Sequence, residues 1–154
     1  MTTTFAGLGV SPSLVEALAA QGIIEPFPIQ ALTIADALAG RDVLGKAKTG
    51  SGKTLAFGLP LLGRIGKAEP RRPKALILVP TRELATQVTD ALRPLGEVRD
   101  LKVRAVYGGV SMDAQITALQ KGVDVVVGTP GRLIDLLERK ELSLAAVEVL
   151  VVDE

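Results

Sequence analysis

Eight residues constrain this chain more than any others: Ala47-Lys48-Thr49-Gly50-Ser51-Gly52-Lys53-Thr54. They follow a short apolar run at residues 42–45 and open a segment with helical apolar spacing at residues 54–65. A glycine-rich turn between a strand and a helix lets the backbone wrap closely around oxygen atoms, while the amides of the helix start point at a phosphate. Lys53 is placed to neutralise β and γ oxygens, and Thr54 to give its hydroxyl to Mg²⁺. The general pattern begins with glycine, and alanine stands there in this chain.

A phosphate loop demands a sheet to carry it, and the remaining sequence supplies one. Runs rich in Val, Ile and Leu recur at residues 42–45, 75–79, 103–107, 124–127 and 147–152. Between them, helical spacing recurs at residues 54–65, 82–95, 112–121 and 132–139. This alternation predicts an α/β fold, a mainly parallel sheet with helices on both faces. Strands buried on both sides are apolar almost throughout, as these are. Two further helices precede the loop. Ser11 is suited to cap the first, with Pro12 at its first position and Gly22 as its left-handed stop; the second runs over residues 28–39 and stops at Gly40.

At 154 residues the chain has the length of one domain. It holds neither cysteine nor histidine, which excludes disulfides, His- or Cys-ligated zinc and any His-based catalytic triad. The net charge of +1 gives no global attraction for nucleic acid, so such binding must come from a few placed groups. No apolar stretch approaches the roughly 20 residues of a membrane helix, and residues 1–9 carry no basic secretory signal. The expectation is a cytoplasmic protein with no membrane partner.

Read alone, the loop allows kinases, GTPases, transporters and helicases. Five further segments choose among them: Gly22-Ile23-Ile24-Glu25-Pro26-Phe27-Pro28-Ile29-Gln30, Pro80-Thr81-Arg82-Glu83-Leu84-Ala85, Gly108-Gly109, Thr129-Pro130-Gly131-Arg132 and Val151-Val152-Asp153-Glu154. In order and spacing these resemble the DEAD-box RNA helicases, over essentially the whole chain. The resemblance implies a RecA-like domain that uses ATP and Mg²⁺. Gln30 would hydrogen-bond the adenine edge, where an amide offers donor and acceptor together. Phe5, seventeen positions before Gly22, would stack on the base. Residues 5–30 form the adenine-recognition region, in which Phe27 replaces the usual hydroxyl residue and forfeits a helix cap worth about 0.5–2 kcal/mol.

By the same resemblance, Pro80, Thr81, Arg82, Gly108, Gly109, Thr129, Pro130, Gly131 and Arg132 would hold RNA. Hydroxyls, glycine amides, helix N-termini and two guanidinium groups suit sugar-phosphate rather than base edges, so the partner would be single-stranded RNA or a short duplex read without sequence preference. Asp153 would hold Mg²⁺ together with Thr54, and Glu154 would orient the attacking water, making Lys53, Asp153 and Glu154 the catalytic set.

The resemblance also sets expectations for extent. Residues 1–154 would be a C-terminally truncated ATP-binding domain, ending inside the Asp-Glu-Ala-Asp tetrapeptide, with the second domain absent. Full hydrolysis and unwinding would need that domain, and a gap between the phosphate-loop strand and the strand ending at Asp153 would lead to marginal stability, a closed-up sheet or self-association through an exposed edge. A non-catalytic nucleotide- or RNA-binding module is the alternative reading, and another P-loop enzyme a weaker one.

Overall fold

The computed structural model describes residues 3–48 and 50–153. The chain divides into two compact units, Met1–Arg64 and Ile65–Glu154.

The first unit is helical among its described residues: α1 (Pro12–Ala20), α2 (Pro28–Leu38) and α3 (Lys53–Arg64). Its helix ends follow local chemistry. Pro12 and Pro28 occupy first-turn positions, where a missing N–H costs nothing. Gly22 (φ 79°) and Gly40 (φ 85°) turn left-handed just past α1 and α2, and the following amides of Ile23 and Arg41 reach back to Leu18 and Asp36. Ser11 departs from expectation. It stands at the cap position of α1 but makes no side-chain cap bond; its hydroxyl lies 3.4 Å from that of Ser13. The strand expected at residues 42–45 is also not formed. Those residues are irregular and exposed, Leu44 fully so, because an apolar run becomes a strand only when a neighbour completes its hydrogen-bond ladder.

The second unit carries β1 (Ala75–Leu78), α4 (Arg82–Val98), β2 (Val103–Val106), α5 (Asp113–Lys121), β3 (Val125–Gly128), α6 (Pro130–Glu138) and β4 (Val149–Val152). All described strand pairs are parallel, in the order β2-β3-β1-β4. Register places Val106, Gly128, Leu78 and Val152 level with one another. Leu76, Val106 and Val126 face a core built with Leu119 of α5 and Leu133 and Leu136 of α6. Successive strand residues point to opposite faces, and α4 packs on β2 and β3 with Val88, Leu92 and Leu95 buried. Helices therefore cover both faces, as the alternating pattern requires.

The edge of the sheet where strands begin is fastened by Asp124, whose carboxylate is almost fully buried. It accepts from the backbone N–H of Ala68 and of Lys102, each at 2.6 Å, and lies 3.5 Å from Lys67 Nζ.

Candidate functional site

In the first unit the loop before α3 has the backbone a phosphate cradle needs. Gly50 and Gly52 sit at φ 82° and 83°, a region that side chains with a Cβ avoid. Space beside Gly50 is open, while a Cβ at Gly52 would collide with Gln30 Nε2 and meet Phe27 Cδ2 at 2.7 Å. Ser51 Oγ is buried with no hydrogen-bond partner among the described residues, an orphan polar atom inside the loop. Lys53 and Thr54 open α3 and are partly exposed, and Ala47, Lys48, Gly50, Ser51 and Gly52 lead into them. Thr49 lies outside the described residues.

Gln30 is buried and holds this loop. Its Oε1 accepts from the Phe27 N–H at 2.8 Å and its Nε2 donates to the Gly52 carbonyl at 2.9 Å. The first bond is the half of a capping box that reaches back to the Phe27 N–H; the cap that a hydroxyl residue would give to the first-turn amides of α2 is not made. The second ties α2 to the start of α3, 22 positions away in sequence. Phe27 itself is half exposed, its ring against Gly52. Phe5 is 1% exposed and Gln30 2%, so both side chains are packed within the first unit.

In the second unit, parallel pairing delivers three motifs to the edge where strands end. Val79 N–H donates to Gly128, Thr129 N–H to Val106 and Asp153 N–H to Leu78, which carries the ladder one residue past each strand. Pro80, Thr81 and Arg82, then Gly108 and Gly109, then Thr129, Pro130, Gly131 and Arg132, all follow directly. Thr81 caps α4 by accepting from the Leu84 N–H at 3.2 Å. Thr129 holds the cap position of α6 without a side-chain cap bond. Gly109 turns at φ 82°, and a Cβ there would lie 3.3 Å from Arg82 Nη1, so the Arg82 guanidinium runs alongside the glycine pair. Asp153 is buried at the end of β4. Glu154 lies outside the described residues.

Arg132 does something other than present a free cation. Its Nη1 donates to Gln115 Oε1 at 2.9 Å and its Nη2 to the Val110 carbonyl at 2.8 Å. Gln115 in turn donates from Nε2 to the Tyr107 carbonyl at 3.1 Å and is only 4% exposed. Tyr107 and Val110 bracket Gly108-Gly109, so Arg132 and Gln115 clamp the glycine turn onto α5 and α6. Sequence reasoning missed Gln115, although an amide at helical spacing from buried Leu119 was a signal. It also missed Gly128, where a Cβ would come within 2.8 Å of the Leu133 side chain; its absence lets α6 sit close on the sheet.

The second unit thus gathers three motifs at one strand-end edge, and the first unit holds a glycine loop fastened by Gln30. A family model described as DEAD/DEAH box helicase matches residues 27–154. The chain belongs to this family. It is 52% identical over 153 residues to the ATP-dependent RNA helicase DeaD of Klebsiella pneumoniae, covering 99% of this chain and 24% of that protein. It is 50% identical over 154 residues to DEAD-box ATP-dependent RNA helicase 53 of Oryza sativa subsp. japonica, covering 97% of this chain and 25% of that protein. Among solved structures, the RNA helicase Prp28 from Chaetomium thermophilum bound to ADP superimposes with a TM-score of 0.90 at 39% identity, covering 99% of this chain and 38% of that one. The chain thus spans about a quarter of the length of these curated relatives, and its fold is that of the RecA-like domain of DEAD-box helicases.

Proposed function

We propose that this chain is the ATP-binding part of an ATP-dependent RNA helicase. The observation that carries the reading is the fastened loop of the first unit: two left-handed glycines, an orphan Ser51 hydroxyl and a helix start. Backbone amides there would enclose the phosphates, and Lys53 would supply the counter-charge as the terminal phosphoryl leaves. Mg²⁺, when bound, would supply a further counter-charge to the phosphates. The hydroxyl of Thr54 and the carboxylate of Asp153 are hard oxygen donors of the kind it prefers.

Gln30 has a double duty in this reading. An amide has two N–H groups and two oxygen lone pairs, of which Gly52 and Phe27 engage one each, leaving a donor and an acceptor for an adenine edge. Loop position and adenine selection would then rest on one side chain. RNA backbone would lie along residues 80–82, 108–109 and 129–132, drawn by Arg82, glycine amides and the N-termini of α4 and α6. Preference for RNA would come from backbone shape and 2′-hydroxyls, as the motif chemistry offers nothing aimed at base edges.

Titration of the chain with a fluorescent ATP analogue tests this directly. Saturable binding that Lys53→Ala weakens by about tenfold or more supports the loop assignment, since a charge-assisted contact of this kind is worth roughly 1.5–3 kcal/mol. Equal binding by the variant would refute it. Gln30→Ala is expected to weaken ATP and narrow its advantage over GTP in competition; an unchanged purine preference would confine Gln30 to holding the loop.

A further inference from the structure

A cavity lies in the sheet unit beside the Gly108-Gly109 turn. It has a volume of about 440 Å³ and sits along the free edge of β2, between α4 and the beginning of α5. A cavity of this size is in the range that takes small ligands. Its walls carry Thr89, Arg93, Arg104, Tyr107 and Ser111, with Asp90 at the side.

Three of these groups point to a ligand. Thr89 Oγ1 is buried with no hydrogen-bond partner among the described residues, and the residue lines the cavity. Most buried hydroxyls find a partner, and a small turn of this side chain toward the cavity would let an entering group supply one. Arg104 stands on the edge strand, partly buried, with no ion pair or side-chain hydrogen bond among the described residues. Arg93 lies 3.8 Å from Asp90, both groups about half exposed, a pair too solvated to hold the guanidinium firmly. Two guanidinium groups against one carboxylate leave the cavity net positive. Ser111 adds a second hydroxyl, and Tyr107 and Ala105 provide an apolar wall.

We propose that this cavity is a second phosphate-binding site, taking a sugar-phosphate group. Several convergent donors suit the tetrahedral oxygens of a phosphate better than the two coplanar oxygens of a carboxylate. The apolar wall beside them suits the sugar. The group has two possible sources, a nucleotide of a bound strand or a free nucleotide. Tyr107 and Val110 connect the cavity to the Gly108-Gly109 turn, so a strand lying on that turn has a continuous path into it.

Tyr107 makes the site directly observable. It is the chain's one tyrosine and there is no tryptophan, so intrinsic emission reports on this wall alone. Ribose 5-phosphate and inorganic phosphate do not absorb in this range and serve as probes. The expected result is a saturable change in emission with ribose 5-phosphate, weakened by about tenfold by Arg104→Gln and by several-fold by Thr89→Val, since each removes a donor to an anion. Both variants should keep the parent circular dichroism and fluorescent-ATP affinity. That control separates this site from the phosphate loop, and the proposal stands even if the ATP reading fails.

To distinguish the sources, labelled single-stranded RNAs of increasing length are compared by anisotropy. A loss on Arg104→Gln confined to the longer strands assigns the site to a strand; a loss for ribose 5-phosphate at every RNA length unchanged assigns it to a free nucleotide. No saturable emission change, an equal response to acetate, or full retention of phosphate binding by a folded Arg104→Gln variant would each overturn the proposal.

Discussion

The two ends of the sheet are both tied by one charged side chain, yet they are tied for different ends. Where the strands begin, Asp124 is buried and ends on two backbone N–H groups and the Lys67 ammonium. All its partners stabilise a carboxylate, so the tie satisfies itself. Where the strands end, Arg132 spends two N–H groups on neutral oxygens, those of Gln115 and Val110. Its hydrogen bonds shape the turn while its positive charge meets no opposite charge in either bond. The first arrangement closes an edge. The second shapes an edge and leaves it attractive to anions.

That contrast can be broken most forcefully at Asp124. Asp124→Ala should destabilise the fold by about 2–4 kcal/mol, because it strands two buried N–H groups and hydrogen bonds to a charged acceptor are worth roughly 1.5–3 kcal/mol each. RNA affinity of the remaining folded protein should stay within about twofold, a difference of well under 1 kcal/mol. Denaturant melts paired with anisotropy would check both halves, and a selective loss of RNA binding at unchanged stability would erase the distinction between the edges.

At the opposite edge, Arg132→Ala should act mainly on binding. Losing the clamp frees the Gly108-Gly109 turn, and RNA affinity should fall by about 1–3 kcal/mol, alike for all sequences. Gln115→Leu sharpens the point, since it removes the Gln115 bonds of the clamp and keeps the arginine with its bond to Val110. A similar fall would mean that the shape of the turn matters; unimpaired binding would mean that the charge alone does.

Capping gives the smallest test. Thr81→Ala removes an observed cap bond on α4 at the functional edge and should cost about 1 kcal/mol in a thermal or denaturant melt, whereas Ser11→Ala removes none and should stay below about 0.5 kcal/mol. Equal losses would show that cap geometry is a poor guide to stability here.

What could be read before any coordinates were seen follows one line. Left-handed glycines, first-turn prolines and alternating apolar runs act over a few residues, so Gly22, Gly40, Gly50 and Gly52, the starts of α1, α2 and α4, and the places of β1 to β4 along the chain were all legible; the order of the strands in the sheet was not. The five ordered motifs, from Gln30 to Asp153, were legible as a family for the same reason. Errors came where a residue's state depends on distant neighbours. Residues 42–45 have a strand's composition and no ladder.

Local conformational preference is written into adjacent side chains, and from it the chain alone determined its class, its glycine loop and its family. Tertiary structure alone decided which polar groups are already engaged. Gln30 finds Gly52 across 22 positions and Arg132 finds Gln115 across 17. A hydrogen bond is set by distance in space, and the folded sheet and helices bring those atoms within 3 Å.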